Sequence, residues 1–127
     1  MVAVKEGGRK LPTKEQLRVW RDYIETAEAL RSRLGAHLQA RFQLSMGDYR
    51  VLLALSEAEG NRLRSSQLAA TIGWERSRLS HHLGRMERRE LIRREECAED
   101  SRGAHVVLAA AGAEAFRASS IPHLQAV

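Results

Sequence analysis

Apolar residues recur every three or four positions along one stretch, at Leu17, Trp20, Ile24, Ala27, Leu30, Leu34 and Leu38, and this stripe restricts the fold more than any other feature. Thr13 followed by Gln16 is a capping-box pattern, so a helix starts there and runs to the neighbourhood of Phe42. Roughly 29 residues rising about 1.5 Å each extend beyond about 40 Å, farther than one small domain can cover. A chain of 127 residues has room for a single modest core. Part of the stripe therefore needs a second chain, and a homodimer is expected. A helix bent at Gly35 and folded back on its own domain is the alternative.

Residues 1–12 mix Gly7, Gly8, Lys5, Arg9 and Lys10 with few apolar groups and read as a flexible basic tail, which leaves 13–44 as a dimerisation helix. Ser45 with Asp48 repeats the capping pattern and opens a helix through Tyr49, Leu52, Leu53 and Leu55 that stops near Gly60 and Asn61. Ser65 or Ser66 then caps a short helix containing Leu68, Ala69 and Ile72. Gly73 supplies the positive φ of a tight turn, and Glu75 begins the next helix with its charge at the positive helix end. Two short helices joined by a glycine turn make a helix-turn-helix.

The second of these helices is the most informative. On a helical wheel Leu79, Leu83 and Met86 share a narrow arc, while Ser77, Arg78, His81, Gly84, Arg85 and Arg88 take the other side. From Arg76 to Arg89 there are five arginines and one acid, Glu87, whereas a merely solvated helix more often alternates signs. Small Ser77 and Gly84 would let the backbone approach a groove closely. One face packs and the other suits a polyanion.

Leu91 to Glu96 and Ala104 to Leu108 read as two short strands around a polar connection, a hairpin serving as a wing. Its stem is acidic, with Glu95, Glu96 and Glu99, which would repel phosphates. Arg102 sits near the tip with Asp100 two residues away to orient it. From Ala109 an alanine-rich helix passes Phe116 and is interrupted near Pro122. The fold class is thus mainly α with a small β-wing. A winged helix-turn-helix DNA-binding domain spans 45–108, flanked by a long N-terminal helix and a short C-terminal helical segment, 109–127, both for dimerisation.

A net charge of +5 favours an anionic partner. The basic residues are 18 Arg against 3 Lys, and arginine suits bidentate recognition of phosphate and guanine, although a GC-rich genome skews the ratio the same way. The lone Cys97 rules out an internal disulfide and fits a reducing cytoplasm. No secretory h-region and no run of about 18 apolar residues occurs, so a soluble, cytoplasmic, nucleoid-associated protein without membrane contact is expected.

Taken in order, Leu44-Ser45, Leu68-Ala69, the Ser77 to Glu87 helix, Leu91-Ile92-x-Arg94, Asp100-Ser101-Arg102-Gly103, Val107-Leu108 and Gly112 resemble the MarR family of winged-helix regulators. The resemblance covers nearly all of 17–127, and the arginine-rich, alanine-rich style is similar to actinobacterial members. It implies a pyramidal dimer that represses or activates genes. It also implies that Ser77, Arg78, Ser80, His81 and Arg85 face the major groove and that Arg102 enters the minor groove. Arg88, on the same side of the wheel, is expected to add to this DNA face, and a two-fold dimer to meet a palindromic operator. Glu90 stands where the family often has glycine, Ala109 where threonine usually stands, and the family's C-terminal helix usually continues farther. Family analogy further offers a small aromatic effector near Trp20, Tyr23, His37 and Arg50, although such stripe aromatics more often pack a dimer.

Other classes fit less well. No phosphate loop, nucleophile elbow or dinucleotide fingerprint is present, so the chain reads as no enzyme and needs no cofactor. His81 and His82 are adjacent and point about 100° apart on a helix, and His105 and Cys97 are distant, so no metal site is expected. Cys97 lies in the wing and reads as a bystander thiol. The alternative function is a winged-helix protein-interaction module that makes no direct DNA readout.

Overall fold

The computed structural model describes residues 5–6, 9–96 and 104–125. Within the stretch read as a tail, β1 (Lys5–Glu6) and β2 (Arg9–Lys10) pair antiparallel. The first long helix, α1 (Lys14–Phe42), begins where expected. The Thr13 N–H donates to Gln16 Oε1 at 2.8 Å and the Gln16 N–H to Thr13 Oγ1 at 3.0 Å. It runs through Gly35 without a break and ends at Gln43, whose φ of 53° turns the chain.

The same reciprocal cap starts α2 (Met46–Glu57): Ser45 N–H reaches Asp48 Oδ2 at 2.9 Å and Asp48 N–H reaches Ser45 Oγ at 3.0 Å. A 3-10 turn, Glu59–Asn61, leads into a strand absent from the sequence reading, β3 (Arg62–Arg64). Next comes α3 (Ser65–Ile72), and here the expected cap is corrected. The helix starts one residue earlier, with Arg64 N–H donating to Gln67 Oε1 at 3.1 Å, because β3 delivers the chain directly into the first turn. At its other end the Arg50 guanidinium donates to the Ile72 carbonyl at 2.6 Å, and Gly73 turns the chain at φ 72°. Across that turn lies α4 (Arg76–Arg88).

β4 (Ile92–Glu96) and β5 (Ala104–Leu108) form the expected hairpin, from Ile92 opposite Leu108 to Glu96 opposite Ala104. β3 adds to the far side of β5, giving the antiparallel order β3-β5-β4. Finally α5 (Ala110–Gln125) continues past Pro122, where an interruption was expected. Proline's φ is compatible with a helix, and the loss of one hydrogen bond weakens or kinks a helix without always ending it.

One core joins these elements. Leu38 and Leu44 at the end of α1, Val51, Leu52 and Leu55 of α2, and Leu68 of α3 are fully buried. Leu79, Leu83 and Met86 of α4, with Ile92 and Val106 of the sheet, complete it. Each such side chain contributes about 1.5–3 kcal/mol by leaving water. α5 is held by Tyr49, whose ring meets Phe116 at 5.4 Å and whose hydroxyl lies 3.1 Å from Ser120 Oγ. Gly112 makes this seat possible, since a Cβ there would run into the Leu91 carbonyl oxygen. No helix among the described residues is long and apolar enough to cross a membrane.

Candidate nucleic-acid interface

α4 separates its two faces as the wheel requires. Leu79, Leu83 and Met86 are sealed in the core, and Ser77, Arg78, Ser80, His81, Arg85 and Arg88 are all exposed. Ser77, Ser80, His81, Gly84, Arg85 and Arg88 line one open groove of about 540 Å³. A seventh residue, Arg94 on β4, reaches into the same groove and was missed by the sequence reading. Its backbone N–H donates to Glu87 Oε2 at 2.9 Å, its Nη2 to Glu87 Oε1 at 3.0 Å, and its Nη1 to the Ser80 carbonyl at 3.4 Å.

This clamp changes the meaning of the one acid on α4. The Arg94 backbone hydrogen bond outweighs partial burial and, helped by the guanidinium, holds the Glu87 carboxyl below the ordinary carboxylate range. Glu87 thus fastens the wing to α4 and leaves the groove basic. A Cβ at Gly84 would come no nearer than 3.6 Å to Arg94 Nη2. Among the described residues nothing demands a glycine there.

The wing stem is also less repulsive than its composition suggests. Glu95 meets Arg62 Nη2 at 3.2 Å and Arg93 Nη2 at 3.6 Å, a pairing that depends on β3, which the sequence reading lacked. Cys97, Asp100 and Arg102 lie outside the described residues.

Behind the exposed face is a polar cluster that the sequence reading also missed. His82 is 8 % exposed and its Nε2 lies 2.8 Å from Asp48 Oδ1. Asp48 Oδ2 accepts from Arg89 Nη1 at 3.1 Å, and Arg89 Nη2 donates to the Gln43 carbonyl at 2.6 Å. Burial pushes the Asp48 carboxyl up, but the hydrogen bonds from His82 and Ser45, with the charge of Arg89, outweigh it and leave the group below its ordinary value. The available signal was position: His82 lies three residues from Leu79 and four from Met86, on the packing arc. It also separates the adjacent histidines, His81 facing out and His82 in. Among the described residues no three His, Cys, Asp or Glu side chains gather as metal ligands.

On α1 the stripe divides. Leu38 is buried in its own chain and Leu34 and Ala27 are half-buried, whereas Leu17, Trp20, Ile24 and Leu30 are exposed. Trp20 stacks on Tyr23 at 5.8 Å between centroids. The four residues named for an effector do not converge within one chain. Positions 23 and 37 are about 21 Å apart along the helix at about 1.5 Å per residue. His37 packs edge-on to Phe42 at 6.4 Å, and Arg50 is committed to Ile72.

Comparison with known proteins agrees with this geometry. Residues 42–103 match the family model described as MarR family. The solved structure of AbsC, a MarR family transcriptional regulator from Streptomyces coelicolor, is 39 % identical with a TM-score of 0.86, over 94 % of this chain and 80 % of AbsC. Sco3205, a MarR family regulator from the same organism solved in complex with DNA, is 36 % identical with a TM-score of 0.87, over 93 % of this chain and 74 % of its own. A mutant MarR from E. coli complexed with operator DNA shares the fold at 16 % identity, with a TM-score of 0.72 over 87 % of this chain and 78 % of its own. No curated protein matches the chain.

Proposed function

Because this chain belongs to the MarR family of transcriptional regulators, we propose that it binds an operator in duplex DNA as a homodimer and regulates transcription from it. The observation that carries the reading is the outer face of α4, where Ser77, Ser80, His81, Arg85 and Arg88 stand exposed around an open groove, Arg78 is exposed on the same helix, and the one acid of the helix, Glu87, is already paired. α4 is 13 residues long, so it spans about 20 Å at about 1.5 Å per residue, enough to lie along a major groove. Arg85, Arg78 and His81 read base edges there, Ser77 and Ser80 hydrogen-bond alongside, and Arg88 meets the phosphates. Arg102, which the sequence puts between the two wing strands with Asp100 two residues away and which lies outside the described residues, is expected to enter the flanking minor groove.

The exposed apolar side chains of α1 support the dimer, since Leu17, Trp20, Ile24 and Leu30 gain by covering one another across a two-fold axis. Two copies of α4 related by that axis meet a palindrome with half-site centres about 10–10.5 bp apart. A dimer spread over two grooves occludes a promoter that overlaps its site, so repression is the favoured mode.

Binding to labelled duplex across a salt series tests the proposal. With about 6–10 phosphates neutralised, affinity falls about 10³–10⁵-fold between about 50 and 200 mM salt. A protein that retains no duplex at low salt acts instead as a protein-interaction module.

A further inference from the structure

Two arginines on the exposed face of α4 are held from behind by one pair of rings, His82 buried and Trp74 half-buried. Arg85 Nη2 lies 3.2 Å from His82 Nδ1. The Arg78 guanidinium sits 4.1 Å above the centroid of the Trp74 ring, a cation–π contact. Trp74 and His82 in turn meet edge to face, with centroids 5.0 Å apart.

The hydrogen bonds through His82 have a fixed direction. A guanidinium has only donors, so His82 Nδ1 accepts from Arg85, and the Nε2–H donates to Asp48 Oδ1 at 2.8 Å. Asp48 cannot rotate away, because the Ser45 N–H and Arg89 hold its other oxygen at 2.9 and 3.1 Å. The ring pair is seated by a glycine. A Cβ on Gly47 would stand 2.8 Å from Trp74 Cη2 and 3.0 Å from His82 Cε1, closer than packed carbon atoms approach.

We propose that the Trp74–His82 pair, anchored by Asp48, sets the direction of Arg85 and Arg78 and so determines how sharply the protein discriminates operator bases. The inference rests on the reading of α4 as the base-reading helix. Trp74, His82 and Asp48 are positioning residues that act through the two arginines. Bidentate readout of a guanine needs a guanidinium in one plane and at one angle, whereas phosphate attraction tolerates many. An arginine oriented before DNA arrives loses less rotamer freedom on binding. The expected signature of disturbing the pair is a loss of base preference with general duplex affinity retained.

The test takes a high-affinity site selected from random duplexes by the wild-type protein, together with its single base-pair variants and an unrelated duplex. Arg85→Ala should lower discrimination at one base pair of each half-site by about tenfold, the size of a lost base contact. His82→Leu should lower it at the same base pair by a similar factor and leave affinity for the unrelated duplex within about twofold of wild type. His82→Gln should restore it, because a glutamine amide can donate to Asp48 and accept from Arg85 at once. Trp74→Leu should act at a second base pair, the one read by Arg78. If His82→Leu does not fold, His82→Asn, whose shorter amide cannot reach both partners, must show the same loss. Discrimination lost in Arg85→Ala but intact in the His82 variants overturns the positioning role and leaves the base-reading helix standing. Discrimination intact in Arg85→Ala overturns the base-reading role of Arg85 itself.

Discussion

α1 and α4 are both amphipathic helices, yet the single chain treats them in opposite ways. α4 buries its apolar arc completely and leaves its basic face open, while α1 buries only Leu38 and leaves Leu17, Trp20, Ile24 and Leu30 in water. The difference reports what each helix is for. An open cationic face is stable in water and waits for a polyanion; an open apolar face is costly in water and calls for another protein surface. On the proposed reading each helix is completed by a different partner, and the chain between them, α2 and α3, couples the two.

The sharpest way to break that comparison is to spoil the α1 face alone. Leu30→Glu leaves the monomer's core untouched, since Leu30 is exposed, but places a charge in the proposed dimer seam. Sedimentation should show monomers, and operator affinity should fall about 10²–10⁴-fold as two-site avidity disappears. Dimers with full operator affinity would assign the α1 stripe to some other surface.

Next in size is the polar cluster behind α4. The Asp48 carboxyl lies below its ordinary value of 3.8 when folded, so it adds stability that is full above that value and is lost as pH falls through the lower folded value. Asp48→Asn should cost about 1–3 kcal/mol at neutral pH by unpairing His82 and Arg89, and it should flatten the acid limb of a thermal-melt series. An acid limb unchanged by the substitution would show that other carboxylates carry it.

Gly84 sharpens the comparison from the α4 side. The chain itself has room for a Cβ there, so Gly84→Ala should stabilise the helix by about 0.5–1 kcal/mol. In the same variant duplex affinity should fall about fivefold, a loss somewhat below that of a typical base contact, because the groove floor is raised toward the DNA. The dimer should stay intact, opposite to Leu30→Glu. The smallest expected effect is at Glu90, which adopts a φ of 63° immediately after α4. Glu90→Gly relieves that strain, offset in part by glycine's unfolded-state entropy, and should raise stability by under about 1 kcal/mol. A melting temperature that drops would mean that the Glu90 side chain contributes more than its backbone costs.

Glu90 also shows how far the sequence could be read. The position was recognisable as one where related chains use glycine, and the structure supplies the reason in its left-handed backbone. The caps at Thr13 and Ser45, the stripe on α1, the two faces of α4 and the strands of the wing were all legible, because each rests on residues a few positions apart. β3 was not, since three residues, Arg62–Arg64, are too few for a period and become a strand only by pairing with Val107, Val106 and His105. Nor were Arg94 and His82 recognisable as parts of the interface. Their partners, Glu87 and Asp48, are 7 and 34 residues away.

The sequence by itself determined which helix faces are apolar and which are cationic, because a helical period of 3.6 turns the order of residues directly into sides. From that follow the faces of the helix-turn-helix and the expectation of two kinds of partner, while the short strands around a polar connection mark the wing. Only the tertiary structure decided which charges remain available. Burial and hydrogen bonding between distant elements paired Glu87 with Arg94, Glu95 with Arg62, and Asp48 with His82 and Arg89. Whether a charged group is neutralised depends on what stands within about 4 Å of it, and that distance is set by packing.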